Sequence, residues 1–154
     1  MKTDTGETTY SLLTTRELAA KCGIGIGELE SRFHPHELVR LNAATNGITP
    51  EGVRRYLKED GVSYHFRVIA HTTMRGGIGK TTSTISTAVR AAQYGFKTCV
   101  LDLDPQGSSS MALGAVPAED DPIFYDIWQR PAELLADALV DLGSHLSILP
   151  SALE

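Results

Sequence analysis

The sequence predicts an α/β protein in two parts. Residues 1–65 read as a small helical, helix-turn-helix-like domain, and 66–154 as part of a doubly wound parallel sheet. Three observations carry this. Apolar, β-rich runs at Phe66–Thr73, Thr98–Leu103 and His145–Leu149 alternate with segments of helical apolar spacing. A glycine cluster separates the first run from the helix after it. The segment before residue 66 carries helix caps and helical spacing instead. Strands separated by helices pair in parallel through right-handed crossovers.

Composition bounds the classes open to the chain. With 154 residues, 42% hydrophobic and 21% charged, it can bury a core, which excludes a collagen, a disordered tail or a disulfide-stapled miniprotein. Fourteen basic against 19 acidic side chains exclude a strongly basic nucleic-acid coat, though not a local basic face. Residues 1–65 hold 8 basic and 9 acidic residues, whereas 66–154 hold 6 and 10. Cys22 and Cys99 form no CxxC pair and read as free thiols. The first ten residues lack an apolar signal core, and no run approaches a membrane span, so a soluble, intracellular protein is expected.

Each element has a local reason. Thr14-Thr15-Arg16-Glu17 fits a capping box, Leu18, Ala19 and Cys22 make an apolar stripe, and Gly23 is a left-handed stop. Gly27 to Phe33 and Pro35 to Ala44 read as a second and a third helix. Thr49-Pro50-Glu51 opens a fourth that Gly61 closes. In the second part, Lys80 to Tyr94 sets Ile85, Ala88, Val89 and Ala92 on one helix face, with Gly95 as terminator. A short helix is expected around Ile123–Trp128, with Phe124, Tyr125 and Trp128 as core contacts. Pro131–Leu142 follows as another helix, carrying Leu135, Ala138, Leu139 and Leu142. His34, His36, His65 and His71 lack carboxylate or cysteine partners at ligand spacing, so no metal cluster is expected of them.

The informative stretch is Met74-Arg75-Gly76-Gly77-Ile78-Gly79-Lys80-Thr81-Thr82, between a predicted strand and a predicted helix. A polyphosphate needs many donors at close range. Glycines let the backbone curl so that successive amides face it, and a helix N-terminus adds partial positive charge. Lys80 can extend to the outer phosphates and the Thr81 hydroxyl can ligate Mg²⁺. The usual GxxxxGK[ST] pattern would place its first glycine at Met74; the deviant form KGGxGK[ST] fits, with Arg75 at its lysine.

This loop resembles that of the ParA/MinD group of deviant-Walker ATPases. A second stretch, Val100-Leu101-Asp102-Leu103-Asp104-Pro105-Gln106-Gly107-Ser108, is similar to the LDxDPQG segment of ParA-type partition ATPases, and Leu146–Ser151 also resembles that family. The resemblance covers about residues 66–151. It implies that Gly76, Gly77, Ile78, Gly79, Lys80 and Thr82 bind the phosphates of ATP. Thr81 would ligate Mg²⁺, with Asp102 supporting the metal. Asp104 would orient the attacking water, and Arg75 would take the place of the lysine that reaches across a nucleotide-sandwich homodimer. Arginine keeps the charge but not the geometry of lysine. The implied partners are nonspecific DNA and a ParB-like centromere-binding protein, in a cytoplasmic, nucleoid-associated cycle of ATP hydrolysis and DNA segregation, with no membrane. A MinD-like membrane cycle is disfavoured by Asp-Pro-Gln-Gly. A rival reading is a DNA-binding regulator that senses nucleotide without useful turnover. The family continues through a Walker B strand and further helices, so the chain reads as the front part of such an ATPase.

Residues 13–24 have the cadence of a helix-turn-helix, which larger partition ATPases resemble in carrying a DNA-reading domain. Gly25, Gly27, Glu28 and Glu30 suit a recognition helix poorly. Arg54, Arg55 and Lys58 on the fourth helix offer a phosphate-contacting face instead.

Overall fold

In the computed structural model, which describes residues 12–151, the first helix begins where its cap places it. Strand β1 (Leu13–Thr14) leads into α1 (Thr15–Cys22), and Thr14 accepts the Glu17 amide at 3.1 Å. Glu17 turns its carboxylate to Arg90 of a later helix instead of closing the capping box. Gly23 ends α1 at φ +69°, a conformation that costs a side chain 1–2 kcal/mol or so. A short turn then leads to α2 (Ile26–Glu30), which buries Leu29.

The predicted third helix is a strand pair. Pro35–Glu37 makes a single 3₁₀ turn, after which β2 (Leu38–Asn42) folds back antiparallel on β3 (Thr45–Ile48). Leu38 and Leu41 fit helical spacing, but Val39 and Leu41 also alternate with Arg40. Asn42 Oδ1 accepts the Ala44 amide at 2.9 Å and shapes the turn, so a ladder partner decides between the two periods. β3 also pairs with β1, giving an antiparallel sheet in the order β1-β3-β2. Helix α3 (Pro50–Glu59), capped by Thr49 on the Gly52 amide at 3.2 Å, closes this unit. Its core is Leu13, Leu18, Leu29, Ile48 and Val53, with Phe33 and Tyr56 packed ring to ring at 5.3 Å.

The second sheet is mixed and not purely parallel. Helix α4 (Lys80–Gln93) leads to β4 (Thr98–Leu101), followed by α5 (Ser108–Ala112), α6 (Phe124–Gln129) and α7 (Pro131–Ala138). β5 (Val140–Asp141) and β6 (Leu146–Leu149) complete the sheet in the order β4-β6-β5. β4 and β6 run parallel, with Val100 opposite Ile148, as a crossover connection predicts. β5 is antiparallel to β6. The predicted helix over Pro131–Leu142 stops at Ala138 because the backbone after it pairs with β6. Ala88 and Ala92 of α4 bury against Val100, Leu146 and Ile148, so the predicted helix face is the packed one.

Two further expectations fail here, one in the run Phe66–Thr73 and one in α6. Phe66–Thr73 carries no strand and joins no ladder among the described residues, and Phe66, Val68 and Ile69 are 92%, 79% and 64% exposed. Side-chain preference suits a run for a sheet, but only a neighbouring backbone makes it a strand. In α6 it is Ile127 that is buried, while Tyr125 and Trp128 are exposed. Trp128 touches Phe124 at 6.1 Å along its own helix and stands outside the core.

The two sheets meet along α3 and the end of α4. Arg54 donates to the Gly95 carbonyl at 2.7 Å and lies 4.1 Å over the Tyr64 ring, whose hydroxyl donates to Tyr94 O at 2.8 Å. Glu51 pairs with His145 at 2.9 Å. Arg55 is spent on Glu37, in a two-pronged pair at 2.6 and 2.8 Å, and on Glu59. The predicted phosphate-contacting face of Arg54, Arg55 and Lys58 is therefore not available as a set: two of its three cations hold protein acceptors.

Candidate functional site

The glycine-rich loop leads directly into the longest helix described. Its geometry follows from residue type. Gly77 and Gly79 hold φ +72° and +87°, and no atom lies within 4 Å of where a Cβ would stand at Gly76, Gly77 or Gly79. The first α4 amide with a backbone acceptor behind it is that of Ser83, bonded to Gly79 O at 2.8 Å. Gly79, the N-cap, offers no side chain to the amides of Lys80, Thr81 and Thr82. Helix starts leave these donors unmatched, and a helix of 14 residues adds its dipole behind them. Open space, curled backbone and unmatched amides are what a chain of phosphates requires. The residues present fit such a group.

Lys80 is folded over the loop, its Nζ donating to Arg75 O at 3.3 Å. Arg75 itself is exposed, its amide bonded to Thr73 Oγ1 at 3.2 Å. Met74 is fully exposed, and Ile78 stands out from the loop. Thr81 and Thr82 occupy the first turn of α4 beside Lys80. At the base of the loop, Ser83 Oγ lies 3.1 Å from His71 Nδ1, a pairing between the segment before the loop and the helix that sequence spacing did not reveal.

Asp102 and Asp104 follow β4, and the structure gives them opposite settings. Asp102 is 4% exposed. Its Oδ2 accepts the Ser110 amide at 2.9 Å and the Ser110 hydroxyl at 2.8 Å, while its Oδ1 accepts the Asp104 amide at 3.3 Å. A buried carboxylate persists only when hydrogen-bonded in this way. Both of its oxygens accept protein donors, so Asp102 is an internal anchor for the turn that follows it. Among the described residues no cluster of three His, Cys, Asp or Glu side chains is placed to hold a metal ion.

Asp104 is exposed. Its Oδ1 accepts the Gln106 amide at 3.0 Å and its carbonyl accepts the Gly107 amide at 2.8 Å, so Asp-Pro-Gln-Gly closes into a tight turn. That turn leaves Oδ2 without a protein donor among the described residues. The glycine-rich loop and the carboxylate turn flank one packed unit, because α4 seats on β4 through Ala88, Ala92 and Val100. No hydrogen bond or ion pair joins Asp104 to the loop among the described residues. Ser110 and Ser151 are the site residues that sequence reasoning missed. Serines in a Ser-Ser-Ser run carry no spacing signal, and only the fold brings Ser110 under Asp102.

Comparison with known proteins supplies the family. A family profile described as AAA domain matches residues 66–154. An uncharacterized protein of Mycobacterium tuberculosis is 33% identical over 89 residues, covering 57% of this chain and 28% of the relative. The sporulation initiation inhibitor protein Soj of Bacillus subtilis is 28% identical over 88 residues, covering 57% and 35%. The chromosome partitioning protein ParA of Caulobacter vibrioides is 31% identical over 85 residues, covering 55% and 32%. The chain thus spans about a third of the length of these curated relatives. No solved structure matches significantly.

Proposed function

The chain belongs to the AAA domain family through residues 66–154, and from that premise we propose that it is a ParA-type partition ATPase, which binds MgATP and couples ATP hydrolysis to DNA segregation. The observation that carries the nucleotide reading is the loop Gly76–Gly79. Gly77 and Gly79 are left-handed with open space beside them, and the first amides of α4 and the Lys80 side chain follow directly. Gly76, Gly77, Ile78, Gly79 and Thr82 contribute backbone or hydroxyl donors to the phosphates, and Lys80 moves from the Arg75 carbonyl to them. Thr81 would hold Mg²⁺, which supplies charge neutralisation on the phosphates when bound. Phosphoryl transfer needs positioning and charge far more than covalent chemistry, so an exposed carboxylate on a short turn suits Asp104 to orienting a water.

In this proposal the working form is a homodimer across the nucleotide, with Arg75 as the residue that reaches the partner's phosphates. Nonspecific DNA and a ParB-like protein are its partners, and its place is the nucleoid. The name of the Caulobacter relative, a chromosome partitioning protein, supports the segregation reading. The α1–turn–α2 pair, flanked by the β2–β3 hairpin, would be a DNA-reading unit. Its contacts must come from side chains other than Arg54 and Arg55. No helix among the described residues is long and apolar enough to cross a membrane.

The test is nucleotide affinity by a fluorescent ATP analogue with Mg²⁺. Lys80→Ala is expected to weaken binding at least tenfold with an unchanged thermal midpoint, while Asp104→Ala binds within threefold of the parent. Equal affinity of Lys80→Ala and the parent would refute the site.

A further inference from the structure

Three separate segments meet at one buried hydroxyl. Ser110, 1% exposed, donates from Oγ to Asp102 Oδ2 at 2.8 Å and accepts from the Ser151 amide at 3.0 Å. Asp102 follows β4, Ser110 lies in α5, and Ser151 follows β6 after Pro150. The Asp102 amide in turn donates to Leu149 O at 3.1 Å, so the two strand ends are tied twice. Only a group that donates and accepts at once can stand between a carboxylate and an amide. A hydroxyl is the smallest side chain that does so.

The loop held by this knot is the one that carries Asp104. Its first residue is anchored through Asp102, and its far end through the Ser110 amide on the same carboxylate oxygen. Asp102 Oδ1 also takes the Asp104 amide. Burying a carboxylate is a poor route to stability, since well-packed apolar groups serve at least as well. What three donors on one buried acid secure is a fixed geometry for the turn between them.

We infer that Ser110 is a positioning residue. Its hydroxyl, through Asp102 and the Ser151 amide, sets the orientation of the Asp104 turn relative to the sheet. Asp104 meets the reacting water in the functional reading above; Ser110 acts on it only through Asp102. The inference rests on that reading for its catalytic meaning, but the placement of the turn can be tested without it.

The experiment compares Ser110→Ala, Ser110→Thr and Ser110→Val in the full chain. Thr and Val have the same shape and add the same bulk, so their difference isolates the hydroxyl from packing. Amide hydrogen exchange is read at Asp104, Gln106 and Ser151, with amides of α4 as the internal control. Expected are rates at least tenfold higher at those three amides in Ala and Val, near-parent rates in Thr, and unchanged rates in α4. In turnover, Ala and Val should lose at least tenfold in kcat with KM within twofold, and Thr should recover. Parent-like protection of Asp104 and Gln106 in Val, or loosening of α4 to the same degree, would overturn the inference, as would a kcat for Val within twofold of the parent. A parent chain that binds no ATP would refute the functional reading, while the exchange comparison would still decide how the turn is held.

Discussion

At the residue scale the best-defined electrostatic feature is Glu37. It is 6% exposed, accepts the His34 amide at 2.8 Å, and meets both prongs of Arg55. The Arg55 guanidinium holds its carboxyl down at about 2, against burial that works the other way. A carboxylate depressed in the folded state adds stability above its unfolded value and loses it as pH falls towards the folded one. The window here runs from about pH 4.5 down to about pH 2. The linked free energy is on the order of 3 kcal/mol. Denaturant melts of the parent across that window should show the loss, and Arg55→Met should flatten the dependence. A variant with the parent's full pH slope would contradict the pairing. None of this was legible beforehand: Arg55 read as part of a phosphate-binding face because charge on a helix shows in sequence and its partner does not.

At the element scale, α6 separates pattern from placement. Phe124, Tyr125, Ile127 and Trp128 all suit a core, yet a helix of six residues has one inward direction, and Ile127 takes it beside Ala138 and Leu149. Ile127→Ala should cost about 2–4 kcal/mol in chemical denaturation. Trp128→Ser, removing a far larger side chain that is 76% exposed, should stay within about 0.5 kcal/mol. The reverse ranking would mean that α6 is rotated. Helix α4 is the opposite case. Its start, apolar face and Gly95 stop were all readable, because the glycine cluster before it, 3.6-residue spacing and a left-handed glycine are local signals that packing did not override.

At the scale of the whole molecule, the two sheets are joined through a contact that tolerates no side chain. Gly95 stands at φ +80°, and a Cβ there would lie 2.6 Å from Arg54 Cβ and 2.8 Å from both Arg54 Cα and Pro50 O. Two of those atoms are backbone and cannot yield. Gly95→Ala should therefore destabilise by about 2–4 kcal/mol, from left-handed strain plus the clash. It should also loosen Tyr64 from Tyr94, which intrinsic tyrosine fluorescence and hydrogen exchange would follow. Full stability in this variant would mean that α3 does not rest on Gly95. What the sequence determined by itself is local: the glycine-rich loop, the Asp-Pro-Gln-Gly turn and the α4 helix between them, each written in consecutive residues. What only the tertiary structure decided is partnership. Among the described residues it left Phe66–Thr73 without a ladder, made a hairpin of Leu38–Ile48, and committed Arg54 and Arg55 to protein acceptors. It also turned Asp102 inward onto Ser110. Such pairings join residues far apart along the chain, and their free energy depends on distance in space, which local sequence patterns do not encode.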